Sequence, residues 1–579
     1  ISIVSINIIP PNNWLSTSSN IKEFDVYKLI MGNYQDHEIL FKIVKNNGQI
    51  KLLTKKECEL KSKILANLII NKVKKFTNRQ VKIFAVMGAS EESVILMLSS
   101  LLIGAHHCIC FEDLSCQAIF QRIKIFNPDI LISTTRTNEK IISLSNKYLK
   151  NKVPLLSIDF KNTIFSNKSI VEDNFISYET NSNLFTLFTS GSTGLPKAVI
   201  HGVYSYLEYA KFSTNYFFGV KKGTVIFTAT DAGWINGHTY AFYGPLLLGC
   251  ISVINENPTV IALPLTLSEI LSRTNTDCFY TSVTVLRLLK SAVKPNQRIS
   301  EFSEKSIVLD RIGSCGEPLA NSVGEWAINF FETKRKSIVN TYFQTETGGV
   351  LVAPRDEDIP PSDYSSVGKP RKELGLVIAN EIMTQSDLDK EGLDPNEILL
   401  CKPCKGIFKQ IISDKHTNYF TENGYFRLHD IGYINDKGYL FIGGRSDDVI
   451  NVAGHKVSSS EIESICMVLE NVNEVCAVAV SDKIYGSRIV LYFSSSIEDN
   501  DIILDLIAKL KNLIKVKLSQ YHKPKKIYHF KNLPKTKSGK IMRRIMRSIA
   551  ETSHFDRKED YSTLANRELF LESVKKLLS

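Results

Sequence analysis

The chain has 579 residues, 43% hydrophobic and 23% charged, which is the balance of an ordinary globular protein too long for a single core. Its formal net charge of +11 comes from lysines dispersed along the chain without a block of like charges, so no nucleic-acid surface is expected. No apolar run approaches the roughly eighteen residues that a membrane-spanning helix needs, so no membrane span is expected.

Eleven cysteines are scattered, several in apolar runs (Cys108, Cys110, Cys250, Cys476), and read as reduced, buried thiols of a cytoplasmic protein. Cys401 and Cys404 form one CxxC with no second pair, so zinc is not expected. The apolar opening, Ile1 to Ile9, lacks a basic flank, is interrupted by Asn7 and is not read as a signal peptide.

Residues 1 to about 50 carry a weak pattern and are expected to wrap over the first domain. Lys55 to Lys75 has the apolar spacing of an amphipathic helix. Strands at Val81–Met87, His107–Phe111 and Ile130–Ser133 then alternate with helices at Glu91–Ile103 and Cys116–Phe126. That order implies a parallel sheet covered by helices, with ligands at the carboxyl ends of its strands. Leu184 to Phe188 is a further strand, and the alternation resumes with a helix at Val203–Phe217. Strands are expected at Val225–Thr228, Ile251–Ile254, Ser306–Leu309 and Ile338–Asn340, and helices at Leu265–Arg273 and Val283–Ser291. From Ser365 to Gly444 short strands with Gly and Asp turns predict a β-rich subdomain.

A boundary follows Ser446, and residues 447–552 read as a compact α+β domain. Residues 553–579 form a charged tail with Leu564, Leu571, Val574 and Leu578 at helical spacing, expected to pack on the core, with docking on a partner as the alternative. The fold class is therefore α/β: a large domain over 1–446 of parallel-rich sheets covered by helices with a β-rich subdomain, then a small α+β domain and the tail.

The stretch on which the chemistry turns is Thr189-Ser190-Gly191-Ser192-Thr193-Gly194-Leu195-Pro196-Lys197. Its glycines allow close backbone approach to an anion, its hydroxyls donate hydrogen bonds, and Lys197 supplies a charge. The spacing is not that of a Walker A loop, and by composition alone such a stretch is more often a flexible turn.

Residues Leu187 to Gly202, LFTSGSTGLPKAVIHG, resemble the phosphate loop of the adenylate-forming family of acyl-CoA synthetases, luciferases and peptide-synthetase adenylation domains. Three further signatures follow in the family's order: Thr341 to Gly349, His429-Asp430 before Gly444-Arg445, and Lys535 to Lys540. TDAGWINGHTYAFYGPL (Thr230 to Leu246) and RIGSCGEPLAN (Arg311 to Asn321) resemble the acetyl-CoA synthetase branch.

The resemblance implies a two-step reaction with ATP, Mg²⁺ and coenzyme A: an acid attacks the α-phosphorus, and the resulting acyl-adenylate passes its acyl group to the CoA thiol. It assigns Thr189, Ser190, Gly191, Ser192, Thr193, Gly194 and Lys197 to the phosphates, Glu346 to Mg²⁺ and Thr345 to the α-phosphate. Gly316, Glu317 and Pro318 lie along the adenine, with Asn340, Thr341, Tyr342, Phe343 and Gln344 in the nucleotide-binding set. Asp430 takes the ribose and Arg445 is a second nucleotide contact; a family glycine precedes the aspartate, where this chain has His429. Lys540 is the catalytic lysine that neutralises carboxylate and α-phosphate, and acetylation of it by an acetyltransferase–deacetylase pair would remove the charge. Trp234, Ile235, Asn236, Cys315 and Phe343 form the acyl pocket; Phe343 replaces the closing tryptophan of acetate enzymes and Asn236 the usual threonine.

The same resemblance makes the C-terminal domain mobile about Asp447, with Ala453 and Gly454 along the pantetheine arm. Lys456 stands where Arg is usual in the nucleotide-binding set. Arg122 and Lys515 fall near the CoA 3′-phosphate, although a solvated cation is the plain reading of each. The implied function is an acid–thiol ligase acting on acetate or propionate. Transfer of another acyl group to CoA or a carrier-protein thiol is the alternative, and a non-catalytic relative is disfavoured by intact Lys197, Glu346, Asp430 and Lys540.

Overall fold

The computed structural model describes residues 6–11, 14, 23–73, 79–150, 152–160, 178–179, 181–190, 196–335, 337–355, 363–413, 417–446, 450–452, 455–457, 459–482, 486–517, 522–535, 541–552, 564, 570 and 574. Gly191 to Gly194, Asp447, Ala453, Gly454 and Lys540 lie outside them, as does the side chain of Lys456.

One sheet has eight strands in the order Ile6–Ile8, Gln410–Ser413, Pro196–Gly202, Asn183–Ser190, His106–Cys110, Lys82–Val86, Ile130–Thr134 and Leu155–Ile158. The last five run parallel, as the βαβ alternation requires. Asn183–Ser190 instead turns back through a hairpin, with Thr189 opposite Lys197 and Ser190 opposite Pro196. The connecting residues therefore fall at the carboxyl end of a strand that runs parallel to its neighbour, the side on which such sheets hold ligands.

A second sheet has seven strands, Ile338–Asn340, Arg311–Cys315, Cys278–Ser282, Val225–Thr228, Ile251–Asn255, Ile39–Val44 and Ile50–Thr54, all parallel except the last pair. Between the sheets pack Glu91–Leu102, whose N-terminus Ser90 caps by accepting from the Ser93 amide, and Val203–Phe218, capped at its end by Gly219 at φ 61°. The β-rich subdomain is an antiparallel sheet of Leu376–Ile378, Glu397–Leu400, Phe426–Ile434 and Leu440–Arg445. A separate sheet with Ser459–Cys466, Asn500–Lys517 and Arg543–Thr552 forms the C-terminal α+β unit.

Two expectations are corrected. Residues 306–309 form no strand; the strand is Arg311–Cys315, which lies flush on its neighbour because Gly313 has no side chain, and a Cβ there would meet Tyr280 at 2.7 Å. Residues 39–54 do not merely wrap the domain but form the edge hairpin of the second sheet, held by Lys42 Nζ donating to the Thr274 carbonyl at 2.6 Å. In the tail, Leu564, Phe570 and Val574 are buried against Phe530, Met546 and Ile549.

Candidate active site

The hairpin register puts Lys197 across from Thr189, and its ammonium pairs with Glu346 of the short turn Thr345–Thr347. Tyr419 completes the group: Lys197 Nζ donates to its hydroxyl at 2.5 Å, and that hydroxyl lies 3.3 Å from Glu346 Oε1. Burial alone would raise the Glu346 carboxyl, but the Lys197 charge overrides it and holds the group at about 2. Burial opposes the Lys197 charge in turn, yet Glu346 and Tyr419 raise it well above the ordinary lysine range. Thr189 Oγ1 is buried without a partner beside this pair. The cluster thus joins a fixed cation and an unused hydroxyl, which can donate to phosphate oxygens, with an ionised carboxylate, which can only accept or bind a cation.

Asp430 is gripped on the adjoining wall. Its Oδ2 accepts from the Tyr342 hydroxyl at 2.7 Å and from Gln344 Nε2 at 2.5 Å, while Oδ1 lies 3.5 Å from Arg445. His429 precedes it at φ 54°, a backbone region that glycine enters without cost. Its ring lies edge-on to Tyr419 at 5.5 Å, and burial, with Arg427 and Arg445, pushes its pKa down to about 4.

Glu317 follows the carboxyl end of Arg311–Cys315. Its carboxylate pairs with Arg287 and accepts from Thr284 Oγ1 at 2.7 Å. Burial raises Glu317, and the Arg287 charge outweighs that to keep it ionised. Arg543 of the C-terminal unit also acts on Glu317, and Glu474 and Glu463 act on Arg287, so the two units meet beside Gly316–Pro318.

A third group lies at the same strand ends. Gly233 has room for no Cβ, since one would meet Phe111 at 2.7 Å, and that approach sets Trp234 against Phe111 with ring centroids 4.8 Å apart. Asn236 Nδ2 donates to Cys315 Sγ at 3.0 Å, and Phe343 packs into the cluster that contains Cys315 and Tyr240.

A scan of family models matches AMP-binding enzyme over residues 33–391 and AMP-binding enzyme C-terminal domain over residues 461–540. The chain belongs to the AMP-binding enzyme family. Among curated relatives, this AMP-binding enzyme is 31% identical to acetyl-coenzyme A synthetase of Psychromonas ingrahamii, over 84% of its own length and 78% of the relative's. It is 34% identical to acetyl-coenzyme A synthetase 2 of Candida albicans, over 68% of its length but 58% of the relative's. Its fold matches the anthranilate CoA ligase AuaEII in complex with anthranoyl-AMP (TM-score 0.77, 18% identity, 93% of this chain and 99% of that one) and the Brucella canis acyl-CoA synthetase (0.64, 21%, 92% and 95%).

Several expected residues of this AMP-binding enzyme serve the frame. Asn340 donates to the Ser366 carbonyl at 3.1 Å and accepts from Ser314, and Thr341 donates to the Ser314 carbonyl at 2.7 Å. Arg122 is buried, donates to the Ala118 carbonyl of its own helix at 2.8 Å and lies over the Phe188 ring. Lys515 is exposed on Asn500–Lys517.

Tyr419 and Arg287 carried no sequence signal, and His201, whose Nε2 bonds the Thr345 carbonyl at 2.8 Å, sits in the Leu187–Gly202 motif but was given no role there. Among the described residues no His/Cys/Asp/Glu group is placed to hold a metal by itself, and no helix is long and apolar enough to cross a membrane.

Proposed function

We propose that this chain is an AMP-forming acid–CoA ligase that activates acetate or propionate with ATP and passes the acyl group to coenzyme A. The observation that carries the reading is the junction of Lys197, Glu346 and Tyr419 with an Asp430 locked by Tyr342 and Gln344. One half suits phosphates and the other a ribose, whose two hydroxyls a fixed carboxylate can accept. The names of the curated relatives support the acid and the thiol.

In this reading Thr189 and Lys197 hold the β- and γ-phosphates, together with residues 190–194. The donor set fits Mg²⁺, which usually binds through one or two carboxylates and substrate phosphates. Glu346 is ionised and paired with the Lys197 ammonium. When bound, the ion neutralises phosphate charge. The carboxylate of the acid attacks the α-phosphorus, the bond to pyrophosphate breaks, and Lys540 balances the charge shared by acid and phosphate.

The thiol of CoA then attacks the acyl carbon and AMP leaves. We assign the second step to rotation of residues 447–552 against 1–446 about Asp447, with Ala453, Gly454 and Lys456 turned to the site and Lys515 near the CoA phosphate. The compartment we propose is the cytoplasm. The test is AMP formation from ATP, acid and CoA: all three are required if the reading holds, and formation without CoA or with a carrier-protein thiol alone refutes it. Lys540→Gln is expected to lose adenylation while keeping thioester formation from supplied acyl-adenylate.

A further inference from the structure

Cys315 is the last residue of its strand, and Asn236 reaches it from the short helix Ile235–His238. A thiol carries one proton, and Cys315 gives it to the Thr281 carbonyl at 3.4 Å. The sulfur can therefore only accept from Asn236, which fixes the amide with its NH₂ toward Cys315 at 3.0 Å and leaves Oδ1 as the other end. That oxygen is buried and has no hydrogen-bond partner.

An amide flip does not remove the anomaly, because it would set carbonyl oxygen against a sulfur whose proton is spent. Leaving a buried acceptor unpaired costs roughly 1–3 kcal/mol, so such an atom calls for a partner. The surroundings supply none from the protein side. The neighbouring lining is apolar or aromatic, with Trp234 on Phe111 and Phe343 near Tyr240.

We infer that Asn236 Oδ1 accepts a hydrogen bond from the chain of the substrate acid, so that the preferred substrate is a short hydroxy acid rather than the plain alkanoic acid of the same size. A hydroxyl is the fitting donor, since an ammonium would bring an uncompensated charge into this lining. The inference rests on the ligase reading and on 234–236, 315 and 343 as its acyl pocket. It reassigns Asn236 from wall to specificity-determining residue: a site built to bond a hydroxyl discriminates strongly against the analogue that lacks it, because the site's own polar group is then stranded.

The test uses the full chain and matched pairs in which hydroxyl replaces methyl: glycolate against propionate, and 3-hydroxypropionate against butyrate. The readout is kcat/KM for acid-dependent pyrophosphate release. One hydroxy acid is expected to exceed its partner by about tenfold or more, and the ratio to fall toward one in Asn236→Leu, which keeps the volume and removes the acceptor. Equal or reversed ratios in the wild-type chain overturn the inference while the ligase reading stands, whatever the variant does. An unchanged preference in a folded Asn236→Leu, checked by its melting temperature, overturns the assignment to this residue. Absence of pyrophosphate with every acid takes down the ligase reading and this inference together.

Discussion

Lys197 and Glu346 are a buried pair whose two members are very unequal to lose. Lys197→Ala strands an ionised carboxylate in the interior and is expected to cost about 3–5 kcal/mol, measured by urea unfolding. Glu346→Gln keeps the volume and is expected to lower kcat/KM for ATP by roughly a hundredfold, as removal of one charge-stabilising group commonly does. The pair also fixes an acid limb. The folded Glu346 carboxyl, at about 2, lies below its ordinary 4.5, so its contribution to stability is fully present above 4.5 and lost as pH falls toward 2. Acid unfolding followed by circular dichroism should show that component in the wild type and not in Glu346→Gln. Glu346 and Asp430 were legible because each sits in a motif of several residues. Tyr419 was not, since an isolated tyrosine in Thr417-Asn418-Tyr419-Phe420 has no pattern, and only the fold brings it to residue 197.

At the scale of elements, the turn carrying Trp234 and Asn236 depends on a glycine. A Cβ on Gly237 would meet the Asp231 carbonyl oxygen at 2.2 Å and Ala232 Cα at 3.1 Å, both backbone atoms that cannot swing aside. Gly237→Ala is expected to destabilise by about 1–3 kcal/mol or more, seen as a lower melting temperature, and to raise KM for the acid as Ile235–His238 is displaced. The βαβ run from 82 to 134 was readable because buried parallel strands are continuous apolar segments separated by capped helices. Arg311–Cys315 was not, because its Arg, Gly and Ser residues are set by close packing on Tyr280 rather than by hydrophobicity. The hairpin return of Pro196–Gly202 was likewise hidden by a proline at its first position, where the start of a strand tolerates one.

Across the whole molecule, the tail and the inter-unit contact carry the expectations. Phe570 is buried beside Phe530, rings 6.1 Å apart, so Phe570→Ala should cost about 3–5 kcal/mol, read from the melting of the C-terminal unit. The meeting of Arg287 and Glu317 with Glu463, Glu474 and Arg543 places the C-terminal unit beside Gly316–Pro318. Composition gave no hint of this contact, because each residue is an ordinary charge in its own segment. The measurement that bears most directly on the account is quantitation of AMP, pyrophosphate and acyl-CoA from ATP, CoA and a series of acids from acetate to octanoate. The account predicts the three products in equal amounts with the optimum among the shortest acids and their hydroxylated analogues; failure of every acid to release pyrophosphate would contradict it.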